Sequence, residues 1–201
     1  MSIILLLANA VIWFIETFGL LGIMITMALE SALVPLPSEV IMPFAGYVAW
    51  SRNSWLFFWQ SIIVATFGNL IGSVALYYIG IFGGRPLIIK YGKYLLIRED
   101  ELRRAELWFQ KKGDIVVLIG RMMPAVRTVI SLPAGIFRMS ISRFIIFTVI
   151  GSIPWNIMLA YIGYILGLHW MMILNYSVYI DIIGILALFV LLLFIFIRTK
   201  R

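Results

Sequence analysis

Residues 120–135 read Gly-Arg-Met-Met-Pro-Ala-Val-Arg-Thr-Val-Ile-Ser-Leu-Pro-Ala-Gly, two arginines and two prolines inside a long apolar run. Few folds accommodate that pattern. The chain is 63% hydrophobic and 12% charged over 201 residues. That apolar share is far above a soluble domain's and points to an integral membrane protein. A charge at membrane depth is costly and faces a cavity or a partner. Proline breaks the backbone hydrogen-bond ladder, and broken backbone at that depth is tolerated only inside protein or beside water. Arg121 and Arg127, with Pro124 and Pro133, therefore mark a bent, buried, cationic site.

Guanidinium groups match phosphate oxygens in geometry, so the two arginines read as a clamp on a phosphate monoester. A half-helix starting after Pro124 would add its positive N-terminal end. The blander alternative is an arginine that snorkels to the interface.

A second stretch resembles the first. Gly19–Trp50 is apolar apart from Glu30 and Glu39 and is broken at Pro35-Leu36-Pro37, with Pro43 beyond. Half-helices of about 13 residues are near half the hydrocarbon thickness, so two of them fit better than one span. Residues 19–50 and 114–135 thus read as re-entrant helical hairpins. Pro35, Pro37, Pro124, Pro133, Gly46 and Gly135 serve as structural hinges. Ser38 is the expected cap of the second half-helix, with Glu39 in its first turn. Glu39 would pair with an arginine or carry a proton; Glu30 is the second candidate for proton coupling.

The remaining segments frame these hairpins. Ile3–Phe18 is apolar but short for a span, and either crosses the membrane or lies on it. Ser61–Phe82 and Phe144–Leu168 are of spanning length, and Ile180–Ile197 is the last span. Trp55, Phe57, Phe58 and Trp59 resemble an interfacial aromatic belt. Glu99–Lys112 reads as an amphipathic helix ending before Gly113, with Leu102, Ala105, Trp108 and Phe109 on one face. Net charge is +7; eight Lys/Arg lie from Arg85 to Lys112 and three more close the chain. Basic flanks prefer the cytoplasm, which places 85–113 and the C-terminus inside.

The halves align. Pro35–Gly46 matches Pro124–Gly135 at an offset of 89, with Val40-Ile41 on Val129-Ile130 and Ala45-Gly46 on Ala134-Gly135. The following spans align at an offset of 83, with Gly68 on Gly151 and Tyr78-Ile79-Gly80 on Tyr161-Ile162-Gly163. With 85–113 inside, the hairpins enter from opposite sides, an inverted repeat of the kind transporters use around a midplane site. The whole reads as one all-α membrane domain over 1–201. Repeat 1 covers 19–84, a linker 85–113, repeat 2 114–168, and the last span 180–197.

Several classes drop out. With no cysteine and one histidine, disulfide frameworks and two-histidine metal sites are excluded. Neither a GxSG with a partnering histidine nor paired aspartates are present, so the chain reads as a non-enzyme. No cofactor or metal is expected, and the basic residues flank spans rather than line a nucleic-acid groove.

Phe109-Gln-Lys-Lys-Gly113, Gly120-Arg121-x-x-Pro124-x-x-Arg127-Thr128 and Pro133-Ala134-Gly135 resemble the signature of the DedA family, also called SNARE-associated or VTT-domain proteins. Glu30-Ser31, Pro35-x-Pro37-Ser38-Glu39 and Pro43-x-Ala45-Gly46 agree in the first half. The run Leu36–Pro43 is most similar to the bacterial undecaprenyl phosphate translocase branch. The resemblance implies a flippase for a lipid phosphate in the bacterial plasma membrane, with Glu39, Arg121 and Arg127 as functional positions. Proton coupling is in question, because Ser51-Arg52-Asn53-Ser54 lacks the second acid of some members, unless Glu30 substitutes. Other implied substrates are phospholipids, flipped or scrambled; an ion-coupled carrier of a small solute is a further reading. A membrane lipid is the expected partner, and a homodimer is compatible with the pattern.

Overall fold

The computed structural model describes residues 3–34, 36–84, 99–124 and 126–170. The expected span 180–197, the C-terminal basic residues, residues 85–98 of the 85–113 linker and Pro35 lie outside them. The described residues form α1 (Ile3–Phe18), α2 (Leu20–Ser31), α3 (Ser38–Ser51), α4 (Trp55–Ile79), α5 (Glu99–Arg121), α6 (Ser131–Ile136) and α7 (Ile141–Leu166). A π-turn over Gly80–Gly84 prolongs α4, and a 3-10 turn over Gly167–Trp170 follows α7.

Among the described residues two helices are long and apolar enough to cross a membrane: Trp55–Gly84, 30 residues, and Ile141–Leu166, 26 residues. At about 1.5 Å per residue both exceed a hydrocarbon core of roughly 30 Å. Each shows an exposed apolar stripe at one-turn spacing, Ile63, Phe67 and Ile71 on α4 and Ile146, Ile150 and Ile153 on α7. Such a stripe suits lipid rather than water. Trp55 and Trp59 are exposed at the start of α4, while Phe57 and Phe58 are buried.

Two cores form. One joins α1, α2, α3, α4 and α7 around Ile23, Met27, Ile41, Met42 and Phe58. The other gathers Tyr77, Phe109, Val117, Ala134, Met139 and Phe144 from α4, α5, α6, α7 and the turn before α7.

The breaks differ in detail from the expectation. Just past the end of α2, Leu33 has a left-handed φ of 69°, and the Val34 N–H closes onto the Leu29 carbonyl at 3.0 Å, a helix-stopping arrangement. The cap of α3 is Pro37 in extended conformation; Ser38 is the first helical residue and makes no cap hydrogen bond. Proline's locked φ and missing N–H suit that entry. The second half-helix does not start after Pro124. Tight turns occupy 122–124 and 126–130, and α6 begins at Ser131 with Pro133 in its first turn.

α5 also runs straight through Gly113 to Arg121. A glycine inside a helix costs about 1 kcal/mol, and packing overrides it here. A Cβ at Gly113 would lie 2.8 Å from the Phe109 ring and 3.3 Å from the Met139 sulfur. Phe109 is buried and Trp108 exposed, so those two do not share a face.

Small residues bring backbones together at several places: Gly68 and Gly72 of α4 meet the Met24 and Ala28 carbonyls of α2, and four further contacts join α3 to α7 and α6 to the end of α4. On α3, Gly46 meets the Ala160 carbonyl of α7, and Gly163 of α7 meets the Pro43 carbonyl of α3. On α6, Gly135 meets the Tyr77 carbonyl of α4, and Gly80 after α4 meets the Leu132 carbonyl of α6. A side chain at any of the four would push backbone apart.

Candidate functional site

Arg121 closes α5 and Arg127 lies in the turns that follow; both are buried, 2% and 3% exposed. Neither snorkels out. Arg121 Nη1 donates to the Arg127 carbonyl at 2.8 Å, and Nη2 donates to Ser131 Oγ at 2.6 Å. One guanidinium thus ties the end of α5, the loop and the start of α6 together. Its planar fork makes this double attachment, which an ammonium point charge would not.

Arg127 Nη2 pairs with Glu30 Oε2 at 3.1 Å. Sequence reading expects Glu39 opposite the arginines; the carboxylate that arrives is Glu30's. The reason is local. Glu30 lies in the last turn of α2 on its buried face, whereas Glu39 opens α3 half-buried between buried Ser38 and Val40. Glu39 makes no ion pair with a described residue, although it lies near enough for its carboxylate to repel that of Glu30.

A chain of polar side chains leads away from this pair. The Ser31 hydroxyl sits 3.2 Å from Glu30 Oε2 and 3.1 Å from Asn69 Oδ1; its single proton serves one of them. Asn69 Nδ2 donates to Asn156 Oδ1 at 3.4 Å, and Asn156 Nδ2 donates to Thr66 Oγ1 at 3.2 Å. The chain links α2, α4 and α7 through residues at most 8% exposed. Sequence reading gives no role to Ser31, Asn69, Asn156 or Ser131, though two asparagines inside apolar spans were a signal, since buried polar groups need partners.

Thr66 also reaches an apolar groove of about 300 Å³ between α4 and α7, lined by Trp59, Ile63, Phe67, Leu70, Val149 and Ile153 among others. Two buried guanidinium groups face one paired carboxylate, which leaves a positive charge without a counter-ion among the described residues. Among the described residues no cluster of His, Cys, Asp and Glu could hold a metal.

Of the hinge candidates, only Pro37 and Pro124 fall at breaks among the described residues; Pro133, Gly46 and Gly135 stand inside helices. Pro37 caps α3, Pro124 lies exposed in the turns, and Pro133 stands in α6. Gly46 and Gly135 are the close-approach glycines of α3 and α6.

Residues 36–165 match the VTT domain. Undecaprenyl phosphate transporter A of Bacillus subtilis is 37% identical over 195 residues, covering 96% of both chains. Its Staphylococcus aureus namesake is 37% identical over 154 residues, 75% of each chain. Protein DedA of Escherichia coli is 26% identical over 132 residues, 66% of this chain and 60% of its own. No solved structure matches the chain. A match across most of its length, one that takes in the segment carrying the buried arginines, makes this chain a member of the VTT-domain, or DedA, family.

Proposed function

We propose that this protein carries a lipid phosphate, undecaprenyl phosphate, across the bacterial plasma membrane. The observation that carries the reading is the buried excess of guanidinium over carboxylate at Arg121, Arg127 and Glu30. A phosphate monoester supplies the missing negative charge and enough acceptors for the remaining N–H groups. Similarity to transporters named for that lipid points the same way. The groove between α4 and α7 offers hydrocarbon a lateral seat outside the polar chain.

The mechanism follows from the ion pair. Glu30 and the headgroup compete for Arg127. When the headgroup binds, Glu30 loses its partner, and protonation is the simplest way for a buried carboxylate to stay uncharged. Glu39, half-buried in the first turn of α3, is placed to exchange that proton with the outside of the site. Arg121 holds the loop in shape while Arg127 changes partner.

The architecture in this reading is an inverted repeat of two re-entrant hairpins, α2–α3 and the end of α5 with α6. The four glycine contacts support it. Pro43 and Gly46 correspond to Leu132 and Gly135 at the offset of 89, and Tyr77 and Gly80 to Ala160 and Gly163 at 83. The contact of α3 with α7 therefore has the same residue pairing as the contact of α6 with α4. Each hairpin packs on the span of the other half, so rocking one repeat against the other would open the site to either side. The 85–113 segment and the C-terminus face the cytoplasm, as their basic residues favour.

Reconstitution into liposomes tests the function. Undecaprenyl phosphate placed in one leaflet should become accessible to phosphatase on the other side, faster than in protein-free liposomes. Equal movement of a phospholipid would favour scrambling. Movement of soluble phosphate without the lipid would favour a small-solute carrier and remove this proposal.

A further inference from the structure

Four buried side-chain polar atoms lack a hydrogen-bond partner among the described residues: Arg121 Nε, Arg127 Nη1, Thr148 Oγ1 and Trp155 Nε1. Buried polar groups are nearly always paired, so each calls for an explanation. These four are not scattered. Two belong to the arginines and two to one stripe of α7.

That stripe runs Phe144, Thr148, Gly151, Trp155, the three-to-four-residue spacing of one helix face. It faces the arginines along its length. The Arg121 guanidinium lies over the Phe144 ring at 5.9 Å from its centroid. The Arg121 stem packs on Gly151, where an added Cβ would come within 2.7 Å of it. The Arg127 guanidinium lies over the Trp155 ring at 5.5 Å. Thr148, wholly buried, stands between Phe144 and Gly151 on the same face. The aromatic faces hold the cations by their ring quadrupoles, while the indole N–H and the threonine hydroxyl remain unused.

We propose that Trp155 and Thr148 of α7 are headgroup-binding residues: the phosphate that meets Arg121 and Arg127 also takes the indole N–H and the threonine hydroxyl. This rests on the lipid-phosphate reading above and adds to it a neutral wall opposite the charged loop. A tetrahedral anion has oxygens directed to several sides at once, so donors from α7 and from the loop can share it. Three of the four atoms are N–H groups and can only donate; Thr148 can donate to an anionic oxygen or accept from a P–O–H. The arrangement favours a phosphate over a planar carboxylate, which Glu30 already supplies to Arg127.

Two conservative substitutions test it. Trp155→Phe keeps an aromatic face beneath Arg127 and deletes the N–H; Thr148→Val keeps the shape and deletes the hydroxyl. Affinity for undecaprenyl phosphate in detergent micelles is measured by native mass spectrometry, with undecaprenol and inorganic phosphate as the other two probes. Each variant should bind undecaprenyl phosphate about tenfold more weakly, the worth of one hydrogen bond to a charged group. Undecaprenol binding should not change. The melting temperature of the unliganded protein should hold or rise, because an unsatisfied buried polar atom has been removed; a merely structural role would lower it instead. Wild-type affinity in both variants would overturn the assignment and leave the transport reading standing. If wild-type protein binds inorganic phosphate but not the lipid, and the variants lose that binding, the two donors stand and the lipid falls. If wild-type protein binds neither, both fall. Trp13→Phe, the same change at an exposed site on α1, should match wild type.

Discussion

Glu30 and Arg127 form a buried ion pair in which neither side chain is more than 5% exposed. Removing one partner of such a pair leaves the other uncompensated, at a cost of about 3–5 kcal/mol. Glu30→Gln should therefore lower the melting temperature, and Glu30→Gln with Arg127→Gln should recover part of it. Undecaprenyl phosphate should stabilise the Glu30→Gln protein more than wild type, since the headgroup no longer displaces a carboxylate; equal stabilisation would contradict the competition. Arg121→Lys should fail to keep both bonds to the Arg127 carbonyl and Ser131 Oγ, and activity should fall at least tenfold although the charge is retained. The arginines were legible in the sequence because charge in an apolar run is conspicuous. The choice of Glu30 over Glu39 was not. It depends on which face of α2 turns inward, and the short-range pattern of an all-round apolar helix does not encode that face.

At the scale of elements, the glycine contacts carry the shape. Gly46→Val on α3 and Gly135→Val on α6 would each force a side chain onto the carbonyl of the opposing span, at Ala160 and at Tyr77. Overpacking of this kind costs about 1–3 kcal/mol. Both variants should show lower melting temperatures and impaired transport, of similar size if the halves are equivalent; Gly83→Ala, whose Cβ would meet its nearest neighbour at 4.0 Å, should be tolerated. The breaks at Pro37 and Pro124 and the two long helices were readable from prolines and from run length. Helix ends were not. Ser38 and Gly113 carry the residue types of a cap and a stop, yet Pro37 takes the cap, and α5 continues past Gly113 because Phe109 and Met139 close on it. At Gly113 a local propensity of about 1 kcal/mol yields to tertiary packing; at Pro37 the locked φ and missing N–H of proline decide the entry.

For the molecule as a whole, the proposal assigns opposite membrane faces to the two ends of α4. The chain has no cysteine, so single cysteines report cleanly. Lys112→Cys should react with a membrane-impermeant thiol reagent only in inside-out vesicles, and Arg52→Cys only in intact cells. Labelling of both from one side would dismiss the inverted topology. In the sequence the proposed repeat rests on the alignment of residues 35–46 with 124–135, where proline and glycine recur at matching positions. The polar chain from Glu30 to Thr66 was not visible there, because Ser31, Asn69, Asn156 and Thr66 are brought together only by the packing of α2, α4 and α7. The central claim is that buried guanidinium charge receives an anionic lipid headgroup. Its most direct test is the rate at which Arg127→Ala moves undecaprenyl phosphate between leaflets of reconstituted liposomes, beside wild type at equal protein. The account predicts that wild type exceeds protein-free liposomes and that the variant, still folded by circular dichroism, falls to their level. Wild-type translocation by Arg127→Ala would contradict it.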